Sequence, residues 1–328
     1  QRLALEIAGE ALFSQAMERH AGELRQRLRA YGQRLARPHP LDFLVPLAVP
    51  TPQDLARRWL ARPWYGLLDR LIAERQAAPP SDPPRDLFDM LRAAKDPESG
   101  KGFDARELRD QFATLLVAGH ETTALALFWA LYLLALAPEV QAAVAQEAAG
   151  LELTPETAAA DLDRLVVTRA VVQETLRLYP PAYTIVRLAK GPDRVAGHDV
   201  PVGSLMIVSV WVLHRHKKLW RDPELFDPRR FLPGVPPPDR FAYLPFGIGP
   251  RVCIGAQFAL TEAVTVLATL LKRFRVELVG PTRVLPVAVI TTVPDRAPAF
   301  RLVPRAGGAD AGATGDDGHS ARPVPEAA

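Results

Sequence analysis

The chain has 328 residues, 48% of them apolar, enough to bury one large core or two domains. A formal net charge of +3 and the lack of an arginine-rich arm argue against a nucleic-acid partner. The single cysteine, Cys253, excludes an intramolecular disulfide, so nothing points to an oxidising compartment.

Residues 1–35 interleave leucines and arginines at helical spacing, which predicts an amphipathic helix. The chain opens at Gln1 already inside this pattern, without a methionine. An N-terminal portion, with any membrane anchor it carries, is therefore expected to be missing. No signal peptide is visible, and the expected location is cytoplasmic. Pro38 to Pro52 reads as a proline-punctuated loop, 53–77 as a second helical stretch, and Pro79 to Arg85 as a surface linker.

The next helix is better signalled. Asp104 with Glu107 three residues on has the form of a capping box, and Phe103 and Leu108 flank it as an apolar clasp. Apolar residues then continue nearly all round the helix to Ala137, ahead of Pro138, so it should cross the middle of the fold. Its longest unbroken apolar run, Ala124 to Ala137, falls short of the roughly 20 residues that span a bilayer. The polar interruption is Ala118-Gly119-His120-Glu121-Thr122-Thr123. Ala118 and Gly119 are small enough to let another body lie against the helix. Glu121 and Thr122 set a carboxyl and a hydroxyl in an apolar middle. Taken alone, that pair reads equally well as a satisfied buried pair, since threonine bonds back to a carbonyl. A lone histidine such as His120 more often packs than ligates.

Pro138 to Ala149 is a further helix, and Thr154 before Pro155 starts another. Residues 165–179 form the next and end at Pro180-Pro181. Glu174 and Arg177 share one face of it, an arrangement that alone is usually an exposed pair of small value. Residues 183–212 alternate around turns at Gly197, Pro201 and Gly203, which predicts short strands of a small sheet. Ala256 to Phe274 reads as helix and 276–303 as strands. From Arg305 onward the Gly, Ala, Asp and Pro content predicts a disordered tail over 305–328.

One stretch carries specific chemistry: FGIGPRVCIG, Phe246 to Gly255. Phe246 supplies an aromatic lid. Gly247 and Gly249 permit backbone conformations closed to other residues. Arg251 is a cation two residues before the cysteine, and Gly255 allows a flat, bulky group to approach. Cys253 precedes a helix N-terminus, where orphan N–H groups and the positive dipole end favour a thiolate. A thiolate on a glycine loop holds an iron centre from one side.

This loop resembles the haem-binding signature of the cytochrome P-450 family, with every fixed position present. The resemblance implies a mainly α fold with a small β-sheet subdomain, lacking its N-terminal portion, with residues 1–304 as the catalytic domain. Haem is the implied cofactor, with Cys253 as proximal thiolate ligand and Arg251 paired with a propionate. Ala118 to Thr123 resembles the family's oxygen-activating helix, so Ala118 and Gly119 would lie against haem. Glu121 and Thr122 would then deliver protons to bound dioxygen. Glu174 and Arg177 resemble the structural Glu–Arg pair, with Arg230 in Phe226 to Phe231 as third member. Arg229 stands where the family often has glutamate. Arg187, six residues past Pro181, matches a position that often binds a propionate. Trp211 to Arg215 spells the family's W-x-x-x-R pattern, but it follows the Glu–Arg helix and is accidental. The true element is expected outside this chain, which would form roughly the last three-quarters of a member.

The implied function is a haem-thiolate monooxygenase that puts one atom of O2 into a small apolar substrate. Without a flavin or iron–sulfur motif, its electrons would come from a ferredoxin, a flavodoxin-like protein or a flavoprotein reductase. The basic run Arg215, His216, Lys217 and Lys218, with Arg229 and Arg230 beyond, would steer an acidic donor. Pocket candidates are Leu115, Ala118, Ala182 to Val186 and Val289 to Thr291. A peroxide-dependent haem-thiolate enzyme or isomerase would not need the Glu121–Thr122 pair. A non-catalytic haem-binding remnant is the alternative of another class.

Overall fold

The computed structural model describes residues 1–14, 22–23, 26–27, 45, 49–77, 83–280 and 282–305. The fold is mainly helical, with helices α1 (Arg2–Phe13), α2 (Pro52–Ala77), α3 (Leu87–Ala93), α4 (Ala105–Leu136), α5 (Pro138–Ala149), α6 (Ala158–Arg164), α7 (Val166–Leu178), the single turn α8 (Val210–Leu213) and α9 (Ala256–Arg273). Strands β1 (Thr184–Leu188), β2 (Asp193–Val195), β3 (His198–Val200) and β4 (Leu205–Ser209) lie between α7 and α8. Strands β5 (Phe274–Val279), β6 (Pro286–Ala288), β7 (Thr292–Pro294) and β8 (Ala299–Pro304) follow α9.

The long helix α4 organises the molecule. Its capping box forms: Asp104 Oδ1 accepts from the Glu107 N–H at 2.8 Å, and Glu107 Oε2 accepts from the Asp104 N–H at 2.9 Å. The apolar clasp does not close as predicted, since Leu108 is buried while Phe103 stays 42% exposed. One buried cluster packs Leu134 of α4 against Val144, Val171, Leu267 and Val276, from α5, α7, α9 and β5. A second packs Phe112 and Leu116 of α4 against Leu5, Leu67 and Phe88, from α1, α2 and α3. In a third, Trp129 of α4 stacks on Tyr179 just past α7, with ring centroids 4.1 Å apart. Among the described residues α4 alone has the length and hydropathy to cross a bilayer, but half of that window is buried within the fold. Its apolar faces are used in the core.

Several boundaries differ from the sequence expectation. The helix predicted over 1–35 is broken at Ser14, which adopts left-handed φ 46° and returns its N–H to the Glu10 carbonyl, and residues 22–23 and 26–27 are helical again. Much of 15–35, most of the Pro38 to Pro52 loop and part of the Pro79 to Arg85 linker lie outside the described residues, as does the tail after Arg305. Thr154 and Pro155 do not start a helix. They form a turn, and α6 begins at Ala158. The strands make four separate two-stranded antiparallel ladders, β1–β4, β2–β3, β5–β8 and β6–β7, instead of one small sheet. Helix α7 is capped from outside: Glu147 of α5 accepts from the Val167 and Thr168 N–H groups at 2.6 and 2.9 Å.

Candidate functional site

The cysteine loop is a backbone-determined shape. Gly247 and Gly249 sit at φ +73° and +76°, in the left-handed region where a side chain is strained. The Cys253 N–H donates to the Phe246 carbonyl at 2.9 Å, closing the loop beneath the sulfur. Cys253 is exposed and is flanked by Val252 and Ile254, the latter 88% exposed. A Cβ on Gly255 would stand 3.9 Å from Sγ, so glycine keeps that flank of the sulfur clear. Phe246 is half-buried against the main cluster. Arg251 is exposed.

The loop abuts β1. A Cβ on Gly247 would lie 3.9 Å from Ile185 Cδ1. Two residues beyond Ile185, Arg187 is exposed and donates to the adjacent Val186 carbonyl at 2.9 Å. From the start of this segment, the Tyr183 hydroxyl donates to the Val289 carbonyl at 2.9 Å. The turn after Val289 reaches α4, where the Thr291 hydroxyl donates to Glu121 Oε1 at 3.4 Å. The cysteine loop, 182–186, 289–291 and the middle of α4 are thus linked by successive contacts.

On α4, Ala118 is exposed, and Leu115, Glu121 and Thr122 are half-buried. Both threonines bond back one turn: Thr122 Oγ1 donates to the Ala118 carbonyl at 2.6 Å and Thr123 Oγ1 to the Gly119 carbonyl at 3.0 Å. Gly119 faces elsewhere than Ala118. A Cβ there would lie 4.0 Å from the Ala8 Cβ of α1, so this position faces the α1–α4 crossing. His120 is buried, with Nδ1 3.1 Å from the Leu116 carbonyl, and burial holds it below its ordinary value as a neutral packing residue.

Behind the loop stands a buried ionic cluster. Arg177 grips Glu174 with two parallel bonds, Nε to Oε2 at 2.7 Å and Nη2 to Oε1 at 2.8 Å, and neither side chain is exposed. The same guanidinium donates to the carbonyls of His214, Pro223 and Leu225 at 2.8, 2.7 and 3.1 Å. Arg230 lies 3.5 Å from Glu174 Oε1 and donates to the Asp222 carbonyl at 2.9 Å.

These observations meet a family description. The family model for cytochrome P450 matches residues 1–291. The chain belongs to the cytochrome P450 family. It is 35% identical over 286 residues to the cyclooctat-9-en-7-ol 5-monooxygenase of Streptomyces melanosporofaciens, covering 85% of this chain and 61% of that protein. It is 43% identical over 220 residues to the bifunctional cytochrome P450/NADPH–P450 reductase 2 of Bacillus subtilis, covering 66% of this chain and 20% of that one. The fold matches the crystal structure of the cytochrome P450DA heme domain with TM-score 0.78 at 28% identity, covering 93% of this chain and 67% of that one. The chain spans about three-fifths of the monooxygenase's length, less than the three-quarters expected.

The P450 cofactor is haem with a cysteine thiolate as axial ligand, and Cys253 is the one cysteine this chain offers. The residues present fit that group. The exposed sulfur lies between apolar flanks, beside a glycine that leaves its flank open.

The basic run is largely used internally. Arg215 is only 12% exposed, stacks 3.5 Å from the Trp211 ring, pairs with Glu224 at 3.3 Å and donates to the Leu178 carbonyl. That cation–π pair is what the accidental W-x-x-x-R pattern forms here. Arg229 pairs with Asp227 at 2.7 Å and Arg230 belongs to the Glu174 cluster. Lys217 and Lys218, with the surface-paired Arg229, are the exposed cations that remain.

Sequence reasoning missed His214. It is fully buried. Its Nε2 accepts from the Leu244 N–H at 2.8 Å, which puts the ring proton on Nδ1, 3.2 Å from the Arg177 carbonyl. The neutral ring thus joins the Glu–Arg helix to the segment entering the cysteine loop. Burial is the main cause of a fall from 6.5 to about 4. The unfolded chain binds this proton more readily than the folded one, so acid favours unfolding. The ring's contribution is complete above pH 6.5 and is lost as pH falls toward 4. About 3 kcal/mol should disappear across that window. Urea midpoints at pH 7.5 and 4.5 measure it, and His214→Gln should show a shallower acid slope than wild type. Equal slopes would contradict this assignment.

Proposed function

We propose that residues 1–304 are the catalytic part of a haem-thiolate monooxygenase that places one atom of O2 into a small apolar substrate and reduces the other to water. The observation that carries the proposal is the acid–alcohol pair Glu121–Thr122, half-buried on α4, in a fold whose one thiol is exposed on a glycine loop. The relative's name, a 5-monooxygenase, supports the same reaction type.

Haem, when bound, supplies oxygen activation and one-electron chemistry. Cys253 would hold it and push electron density toward the iron, which favours O–O cleavage. Arg251 and Arg187, both exposed, would balance its propionates. Glu121, half-exposed, would exchange protons with solvent. The Thr122 hydroxyl spends its one proton on the Ala118 carbonyl, so at rest it can only accept, and must turn off that carbonyl to donate. Leu115, Ala118, Val186 and Val289 would give the substrate an apolar wall. P450 relatives take electrons from redox partners, and the Bacillus relative carries its reductase in the same chain. For this chain we infer a separate donor, with Lys217 and Lys218 as its contact. A cytoplasmic location belongs to the same proposal.

One observation favours the peroxide-dependent alternative: Glu121 and Thr122 both have protein partners already, as a structural pair would. Product formed per NAD(P)H consumed separates the two. Thr122→Ala should keep substrate affinity while that ratio falls several-fold and hydrogen peroxide rises. Glu121→Gln should instead slow turnover, by up to about 10²-fold. A fully coupled Thr122→Ala enzyme would make the pair structural.

A further inference from the structure

The turn between β6 and β7 is bolted to the rest of the fold on both sides of Thr291, at Val289 and Thr292. The Thr292 N–H and hydroxyl donate to the carbonyls of Pro181 and Pro180 at 3.0 and 2.6 Å. The Thr292 carbonyl accepts from Trp129 Nε1 at 2.9 Å. The Thr291 carbonyl takes the N–H groups of Val289 and Val293 at 3.2 and 3.1 Å, and the Tyr183 hydroxyl holds the Val289 carbonyl at 2.9 Å. Thr292 and Trp129 are both buried. Trp129 lies about two turns beyond Glu121 on α4. The turn therefore docks on α4 at two points, one of them rigid and buried.

The second point is the contact between Thr291 and Glu121. Thr291 is 8% exposed, and its hydroxyl donates to Glu121 Oε1 at 3.4 Å. That is longer than a strong O–H···O bond. Such a bond orients a carboxylate without locking it, and bonds of this kind often tighten when a site is filled. Glu121 Oε2 has no protein partner among the described residues. One oxygen is thus held from the hairpin while the other stays available.

We propose that Thr291 is a positioning residue for Glu121. It acts through the carboxylate, selecting the orientation that presents the second oxygen for proton transfer. The inference rests on the proton-delivery role given to Glu121 above. Because the hydroxyl belongs to a bolted turn, its loss should free one side chain and leave the hairpin in place.

The test compares Thr291→Val, which keeps shape and removes the donor, with Thr291→Ser, which restores the donor. Carbon-13 carboxyl NMR of glutamate-labelled protein reads the contact directly, the Glu121 signal being identified by its loss in Glu121→Gln. Thr291→Val should shift that signal and Thr291→Ser should not. Turnover should fall about two- to five-fold in Thr291→Val, recover in Thr291→Ser, and show no further fall when Thr291→Val is added to Glu121→Gln. A signal unmoved by Thr291→Val overturns the inference while leaving Glu121 its role. Additive losses in the double variant overturn it too, by placing Thr291 in substrate contact. If Glu121→Gln turns over at the wild-type rate, the proton-delivery reading fails and this inference with it, even where the signal moves.

Discussion

A Cys253→Ser variant should keep its fold and lose completely the red-shifted Soret band that reduced protein gives with carbon monoxide. Two facts combine to make the effect total. The chain has no second cysteine, so no other thiolate can take over. Serine is a hard alcohol that stays protonated at neutral pH, and it cannot replace a soft, ionised sulfur donor on iron. The fold should persist because the loop is held by backbone. The bond from the residue 253 N–H to the Phe246 carbonyl, and the positive φ angles of Gly247 and Gly249, do not involve the sulfur. Far-ultraviolet circular dichroism should be superimposable on wild type while the band is gone. A red-shifted band that survives in Cys253→Ser would remove Cys253 from the axial position.

What could be read in the sequence was local. The Asp104–Glu107 box needs only residues three apart, and the apolar pattern after it marks the central helix directly. Glu174 and Arg177 are also three apart on one helix, so their meeting follows from helix geometry. The cysteine loop is contiguous, and its glycines announce the conformations they adopt. What could not be read comes from distant partners. His214 joins Arg177 to Leu244, residues 37 and 30 positions away. Glu121 and Thr291 meet across 170 positions. No periodicity encodes either contact. Arg215 illustrates the same limit from the other side: a run of basic residues suggests a solvated patch, yet Trp211, Glu224 and the Leu178 carbonyl absorb its first member. Ser14 ends α1 in a left-handed conformation that residue type did not signal.

The largest effect on stability should come from Arg177→Leu. This guanidinium is one body serving four partners: the Glu174 carboxylate and the carbonyls of His214, Pro223 and Leu225. Removing it leaves a fully buried carboxylate with only the Asp227 N–H at 2.9 Å and the more distant Arg230, and leaves three carbonyls short of a donor. Breaking a buried pair from one side costs about 3–5 kcal/mol, against a total stability of about 5–15 kcal/mol for a typical domain. Glu174→Gln should cost clearly less, because Arg177 keeps its three carbonyls and an amide oxygen can still accept from Asp227. Arg177→Lys should resemble Arg177→Leu more than wild type, since a single ammonium cannot grip both carboxylate oxygens and span the three carbonyls. The damage also travels. The His214 ring is anchored on the Arg177 backbone and receives the Leu244 N–H, two residues before Phe246. Loosening the cluster should therefore lower haem retention before global unfolding is complete. Urea midpoints rank the three variants, and haem loss to apomyoglobin reports on the loop. If Arg177→Leu and Glu174→Gln prove equally mild, the three carbonyls find other donors and the guanidinium is not what fixes this part of the fold.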